Sequence, residues 1–125
     1  MQEDVEIGQI GAVMLGVRDL PQAVAFYRDK LGLGVIMQEN QLALLRCGSV
    51  MLGLSRGHVA AAPQVTGATE VVFQVKNVKA TYQALKSRGV EFISPPRQAT
   101  PTDWVANFRD VDGHLLSVFG PEGHA

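Results

Sequence analysis

At 125 residues the chain has room for one domain with a real core and not for two. A composition of 46% hydrophobic and 18% charged residues excludes a disordered chain. The 11 basic and 12 acidic residues leave a net charge of −1, and the cations are scattered, so neither nucleic acid nor an anionic membrane surface is an expected partner.

A lone cysteine, Cys47, leaves no internal disulfide framework, and its apolar run Leu42-Ala43-Leu44-Leu45-Arg46-Cys47 suits a buried structural thiol. The segment Met1-Gln2-Glu3-Asp4 is acidic, unlike a signal peptide. No apolar run approaches the roughly 20 residues needed to cross a bilayer. The expected location is the cytoplasm.

In chain order, Gln9 to Val17 reads as an apolar strand. Asp19 then offers an N-cap and Pro21 a first-turn residue for a helix. Leu20, Ala23, Val24, Tyr27 and Leu31 form one apolar face of that helix, and Gly32 suits its left-handed end. Gly34 to Glu39, Gln41 to Cys47 and Val50 to Ser55 read as strands parted by the tight turns Asn40-Gln41 and Gly48-Ser49. Arg56 to Ala68 has the texture of a connecting loop. The order then repeats: strand Thr69 to Val75, a helix capped by Asn77 with Val78, Tyr82 and Leu85 on one face, Gly89, and strand Val90 to Ser94. Pro95-Pro96 to Asp103 reads as loop, Trp104 to Arg109 and Leu115 to Phe119 as strands, and Asp110 to Gly113 as the turn between them.

A shift of 58 positions superposes the halves. Val17-Arg18-Asp19-Leu20 falls on Val75-Lys76-Asn77-Val78, Tyr27 on Leu85, Lys30 on Arg88 and Val35 on Ile93. Caps, charges and core positions coincide together, which marks an internal duplication. The expected fold is α+β: one domain over 1–125, with two βαβββ modules in tandem. Module one covers about 9–55, a linker about 56–68, and module two about 69–120.

The stretch Gly16-Val17-Arg18-Asp19-Leu20 followed by Phe26-Tyr27-Arg28-Asp29-Lys30-Leu31-Gly32-Leu33 resembles the vicinal-oxygen-chelate superfamily. That group includes glyoxalase I, extradiol dioxygenases, fosfomycin-modifying enzymes and bleomycin-sequestering proteins. The segment Phe108-Arg109-Asp110-Val111-Asp112-Gly113-His114-Leu115-Leu116 is similar to the family's last hairpin, with Val111 where members usually carry Pro. The resemblance implies that each module curls a mixed sheet into half of a cup with its helix packed outside. It also implies a homodimer in which each chain contributes part of the cup wall.

Metalloenzymes of the family hold a divalent ion through side chains on the first and last strands of each module. Carried over by motif and repeat, those positions fall on Ala12, Gly53, Glu70 and Ser117. A catalytic metal needs about three protein ligands plus an open position. Only Glu70 suits that role, and the one-residue neighbours Gly11, Val13, Leu52, Leu54, Leu116 and Val118 offer no better donor. His58, His114 and His124 lie in loops or near the chain's end, and an improvised site from His58 and Glu70 is the weaker option. No metal and no cofactor are expected.

Strand alternation places Ala12, Met14, Gly16, Met51, Gly53, Ser55, Glu70, Val72, Gln74, Leu115, Ser117 and Phe119 on the cup side. Such a wall suits a small apolar or aromatic molecule in a dry, elongated pocket near the module junction. The candidate ligand-binding residues are Met14, Met51, Glu70, Gln74, Trp104, Asn107 and Ser117, with Trp104 and Asn107 capping a flat ligand. Arg97 and Asp103 sit in a loop able to act as a lid. The expected function is a metal-free binding or sequestering protein. The alternatives are a metal-dependent lyase, isomerase or dioxygenase with unusual ligands, and a metal-free enzyme using Glu70 as a base.

Overall fold

The structure, a computed structural model, describes residues 10–57 and 70–124. Module one runs β1 (Ala12–Gly16), α1 (Leu20–Ala25), β2 (Gly34–Gln38), β3 (Leu42–Cys47) and β4 (Val50–Ser55). Module two runs β5 (Glu70–Gln74), α2 (Val78–Ser87), β6 (Arg97–Gln98), β7 (Trp104–Arg109) and β8 (Leu115–Gly120). The sheets have the orders β1-β4-β3-β2 and β5-β8-β7-β6, with the first strand of each module parallel to the last. The two tandem modules of mixed sheet and helix are the α+β architecture expected from the repeat. The predicted linker, His58 included, lies almost wholly outside the described residues.

Local chemistry explains the shared frame. Asp19 and Asn77, 58 residues apart, each stand in an extended conformation and accept a backbone N–H, from Gln22 at 3.0 Å and Ala80 at 2.9 Å. Such caps satisfy donors that a helix start leaves free, and each is worth about 1 kcal/mol. Past the helices, Gly32 and Gly89 take φ of 79° and 89°, a region that penalises a Cβ. After Ala25 the first helix widens into one π-helical turn over Phe26–Lys30, with Leu31 N–H donating to the Phe26 carbonyl at 3.3 Å. This turn buries the adjacent pair Phe26 and Tyr27, which a regular 3.6 spacing does not anticipate.

Each helix packs on its own sheet, and the two modules share one core. Leu20, Val24 and Tyr27 from α1 and its extension meet Leu45 and Leu54; Val78 and Leu85 from α2 join Phe108 and Leu116. A fully buried Leu, Val or Phe stabilises the fold by about 1.5–3 kcal/mol. Polar ties also link the modules. Arg88 Nη1 donates to the Lys30 carbonyl at 2.9 Å, joining equivalent positions of the repeat. Tyr27 Oη donates to Asp110 Oδ2 at 2.6 Å, and Arg18 N–H donates to Asp112 Oδ1 at 3.0 Å.

One strand differs from expectation. Val90 to Ser94 forms no continuous strand: Phe92 makes an isolated bridge with Phe108, and Ile93 N–H donates to the Asn107 carbonyl at 2.8 Å. Pro95 and Pro96 have no N–H to continue the ladder. Pairing resumes at Arg97–Gln98, inside the predicted loop, against Val105 and Trp104.

Candidate functional site

The strand registers define the cup side. In module one, Ala12 stands beside Met51, Met14 beside Gly53 and Gly16 beside Ser55; Leu44 flanks Gly53 from β3. In module two, Glu70 stands beside Leu115, Val72 beside Ser117 and Gln74 beside Phe119, with Asn107 on the far side of Ser117. Period-two alternation therefore sets Met14, Met51, Glu70, Gln74, Asn107 and Ser117 on cup faces.

Trp104 requires a correction. It pairs with Gly120, three positions from Asn107 and so on the opposite face. Its ring packs against the common core, and Lys79 Nζ lies 5.8 Å from the ring centroid. The indole anchors α2 to the sheet and does not cap a ligand next to Asn107.

The module-one half of the cup floor is apolar and filled. A Cβ placed on Gly53 would collide with the Met14 thioether and come within 3.3 Å of a Leu44 methyl. The methionine thus lies over the glycine, across the space that a longer side chain at 53 would need.

The module-two face carries a polar row among apolar neighbours. Asn107 Nδ2 donates to Glu70 Oε2 at 3.1 Å. Asn107 Oδ1 accepts from Ser94 Oγ at 3.3 Å, and Ser94 Oγ accepts from Arg97 Nη1 at 2.6 Å. Ser117, between Val72 and Asn107, is 0% exposed, and its Oγ has no hydrogen-bond partner among the described residues. Ser94 was not foreseen as a site residue, and Arg97 was foreseen only as part of a lid. The dipeptide Pro95-Pro96 between them is the one sequence signal that the chain bends back there.

A groove of about 740 Å³ runs between the modules. It is bordered by β1, the β3–β4 turn and β5, with Ile10, Met14, Met51, Glu70, Val72 and Gln74 among its lining residues. The turn Cys47-Gly48-Ser49 also lines it, and sequence reasoning missed that contribution. Burial pushes the half-buried Cys47 thiol up from its ordinary range, in keeping with an unreactive group. Among the described residues the outer edges of β1 and β5 carry no partner strand.

The last hairpin supplies the support. Asp110 Oδ1 accepts from the N–H groups of Asp112 and His114 at 2.9 and 2.8 Å. Its Oδ2 accepts from Tyr27 Oη at 2.6 Å and is bonded to His114 Nδ1 at 2.7 Å. Burial raises the Asp110 pKa, but the hydrogen bonds from His114 and Tyr27 outweigh it and hold the carboxyl below its ordinary value. The hydrogen bond to Asp110 raises the His114 pKa. Burial, then the neighbouring Asp110, pushes the Tyr27 phenol far above its ordinary range, so it acts only as a donor and acceptor in its neutral form.

The side chains at the family's metal positions do not fit a divalent ion. Ala12 and Gly53 have no donor atom, the Met14 thioether crosses the space above Gly53, and Ser117 Oγ is a weak neutral ligand. Glu70 is the one strong donor, already bonded to Asn107. Among the described residues no three His, Cys, Asp or Glu side chains converge.

The duplicated mixed-sheet fold, the Tyr27–Asp110 tie and the cup faces define a class. The family model described as Glyoxalase/Bleomycin resistance protein/Dioxygenase superfamily matches residues 9–118, and the chain belongs to that superfamily. It is similar to two Bacillus subtilis (strain 168) proteins. "Uncharacterized protein YraH" is 28% identical over 124 residues, covering 86% of this chain and 94% of the relative. "Uncharacterized protein YetH" is 25% identical over 118 residues, covering 88% and 96%. Among solved structures, a lactoylglutathione lyase from Agrobacterium tumefaciens aligns with TM-score 0.77 at 21% identity, over 90% of this chain and 93% of that one. A glyoxalase/bleomycin resistance protein/dioxygenase from Nocardioides aligns with TM-score 0.75 at 22% identity, over 98% and 92%. At these identities the structural likeness concerns the fold alone.

Proposed function

We propose that this chain is a metal-free binding or sequestering protein of the cytoplasm, holding a small apolar or aromatic molecule in a cup shared between two copies. The Met14 thioether lying over Gly53 carries the reading: module one offers an apolar, adaptable wall where a metalloenzyme of the family needs a ligand. Glu70, Asn107 and Ser117 supply polar orientation on the module-two wall.

Two observations support the dimer. Among the described residues the edges of β1 and β5 are unpaired, and such edges are liabilities unless covered. Beside them Ile10, Met51 and Val72 expose apolar side chains, Val72 at 52%. Pairing β1 of one copy with β5 of another covers both edges and brings a Met14–Met51 face next to a Glu70–Ser117 face. The cytoplasmic assignment rests on the lone half-buried thiol; among the described residues no helix is long and apolar enough to cross a membrane.

The test is elemental mass spectrometry on tag-free protein, before and after incubation with zinc, nickel, manganese and iron(II) salts. Less than one-tenth equivalent of any metal after dialysis is expected. Near-stoichiometric metal would overturn the reading and return the chain to the metalloenzymes.

A further inference from the structure

The polar row on module two has a direction. A carboxylate only accepts hydrogen bonds, so the Asn107 amide must present Nδ2 to Glu70 and leave Oδ1 for Ser94. Ser94 Oγ then donates to Asn107 and accepts from Arg97. Every donor along Arg97, Ser94, Asn107 and Glu70 points the same way, from a guanidinium to a carboxylate. What remains open at the Glu70 end is acceptor capacity: Oε1 and the second lone pair of Oε2.

Ser117 lies at the same place. Asn107 and Glu70 sit on strands either side of β8, about 10 Å apart at the backbone. Their hydrogen bond carries both side chains over β8, which accounts for Ser117 being fully buried on a cup face. Its Oγ is an orphan among the described residues, and leaving a hydroxyl unsatisfied in a dry place is unfavourable. No ion pair engages Glu70 among the described residues. Arg109, in the same cross-strand row, is committed to the Gly113 carbonyl at 2.9 Å. The surrounding wall of Val72, Leu115 and, across the proposed interface, Met14 and Met51 is apolar.

We propose that Glu70 and Ser117 form the head-group subsite of the cup, and that the head group it selects is a protonated amine or amidine carried on an apolar body. The subsite rests on the proposed binding function and names the ligand class for it. An ammonium group supplies the donors that Glu70 lacks, with the Ser117 Oγ as a further acceptor. A carboxylate or phosphate finds a single donor, the Ser117 hydroxyl, beside the repelling Glu70 carboxylate. Arg97, at the far end of the row, polarises the Asn107 amide toward Glu70 and has no direct part in holding the ligand.

The experiment is a protein-observed NMR titration with benzylamine, benzyl alcohol and benzoate at one pH, where the amine and acid are ionised. The three probes share the aromatic body and differ in the head. Benzylammonium is expected to bind at least tenfold more tightly than benzyl alcohol, with benzoate weakest. Glu70→Gln is expected to remove about ten- to hundredfold of the ammonium affinity and, with it, the preference for benzylammonium over benzyl alcohol. Equal affinities, or an ammonium preference that survives E70Q, would overturn the subsite and leave the apolar cup standing. Failure of all three probes to shift Met14, Met51 or Val72 resonances at millimolar concentration would overturn both.

Discussion

Replacing Asp110 by Asn keeps the shape of the side chain and changes one oxygen into an NH2 group. The carboxylate accepts from two backbone N–H groups on Oδ1 and meets Tyr27 Oη and His114 Nδ1 on Oδ2, with the side chain fully buried. With the NH2 toward the backbone, two N–H donors face a donor. Turned the other way, Tyr27 Oη and His114 Nδ1 must accept instead of donate, and the charge that strengthened all four contacts is lost. A hydrogen bond to a charged group contributes about 1.5–3 kcal/mol, and a buried donor left unsatisfied costs about as much as a lost bond. Asp110→Asn should therefore cost about 3–5 kcal/mol, a large part of the 5–15 kcal/mol that holds a domain together. Tyr27→Phe removes one of the four contacts and should cost about 1–2 kcal/mol. The assay is equilibrium urea unfolding followed by the fluorescence of Trp104, the only tryptophan, which is packed against the core. The double variant should cost less than the sum of the singles, because both remove the same bond. A D110N variant within 0.5 kcal/mol of the parent would refute the argument, since the hairpin would then not depend on this carboxylate.

The remaining predictions concern pH, the cup floor and assembly. Asp110, with its pKa lowered from 3.8, contributes stability at higher pH that is lost as pH falls below about 4. His114, raised from 6.5, contributes stability fully present below 6.5 and lost as pH rises above it, so the urea midpoint should peak between about 4 and 6.5. In D110N the decline on the alkaline side should vanish; its persistence would assign it to another group. Gly53→Glu should destabilise by about 1–3 kcal/mol by displacing Met14. Adding Met14→Ala should recover part of that loss in the same urea assay, and strict additivity would count against the overlap. In sedimentation at micromolar concentration the parent should run at twice its 13.5 kDa chain mass, and Ile10→Lys with Val72→Lys should shift it to monomer. A parent that stays monomeric would refute the shared cup.

Features that depend on neighbours in the chain were legible in the sequence. The caps at Asp19 and Asn77, the left-handed glycines at 32 and 89 and the strand–helix order are local, and the 58-residue shift doubled each signal. Features decided by packing were not. The π-helical turn at Phe26 exists because two adjacent aromatic residues are both buried, which no helical period encodes. The row from Arg97 to Glu70 joins residues up to 37 apart along the chain, and its members look like ordinary loop and strand residues. Trp104 is a different case: its odd spacing from Asn107 already put the two on opposite faces.

The order of strands also sets a timetable for folding. In each module the last strand to be made, β4 or β8, lies in the interior of its sheet between the first strand and the third. Module two waits longer still, because Val78 and Lys79 at the start of α2 donate to the carbonyls of Pro121 and Glu122. During synthesis module one can close once Ser55 has emerged, while β5 and α2 stay incomplete until residue 122 is free of the ribosome. Over that interval the Tyr27 hydroxyl has no Asp110 to meet, and the part of module one's core that module two completes stays open to solvent. Chaperone contact on the nascent chain should accordingly concentrate on module one and end when the final hairpin docks.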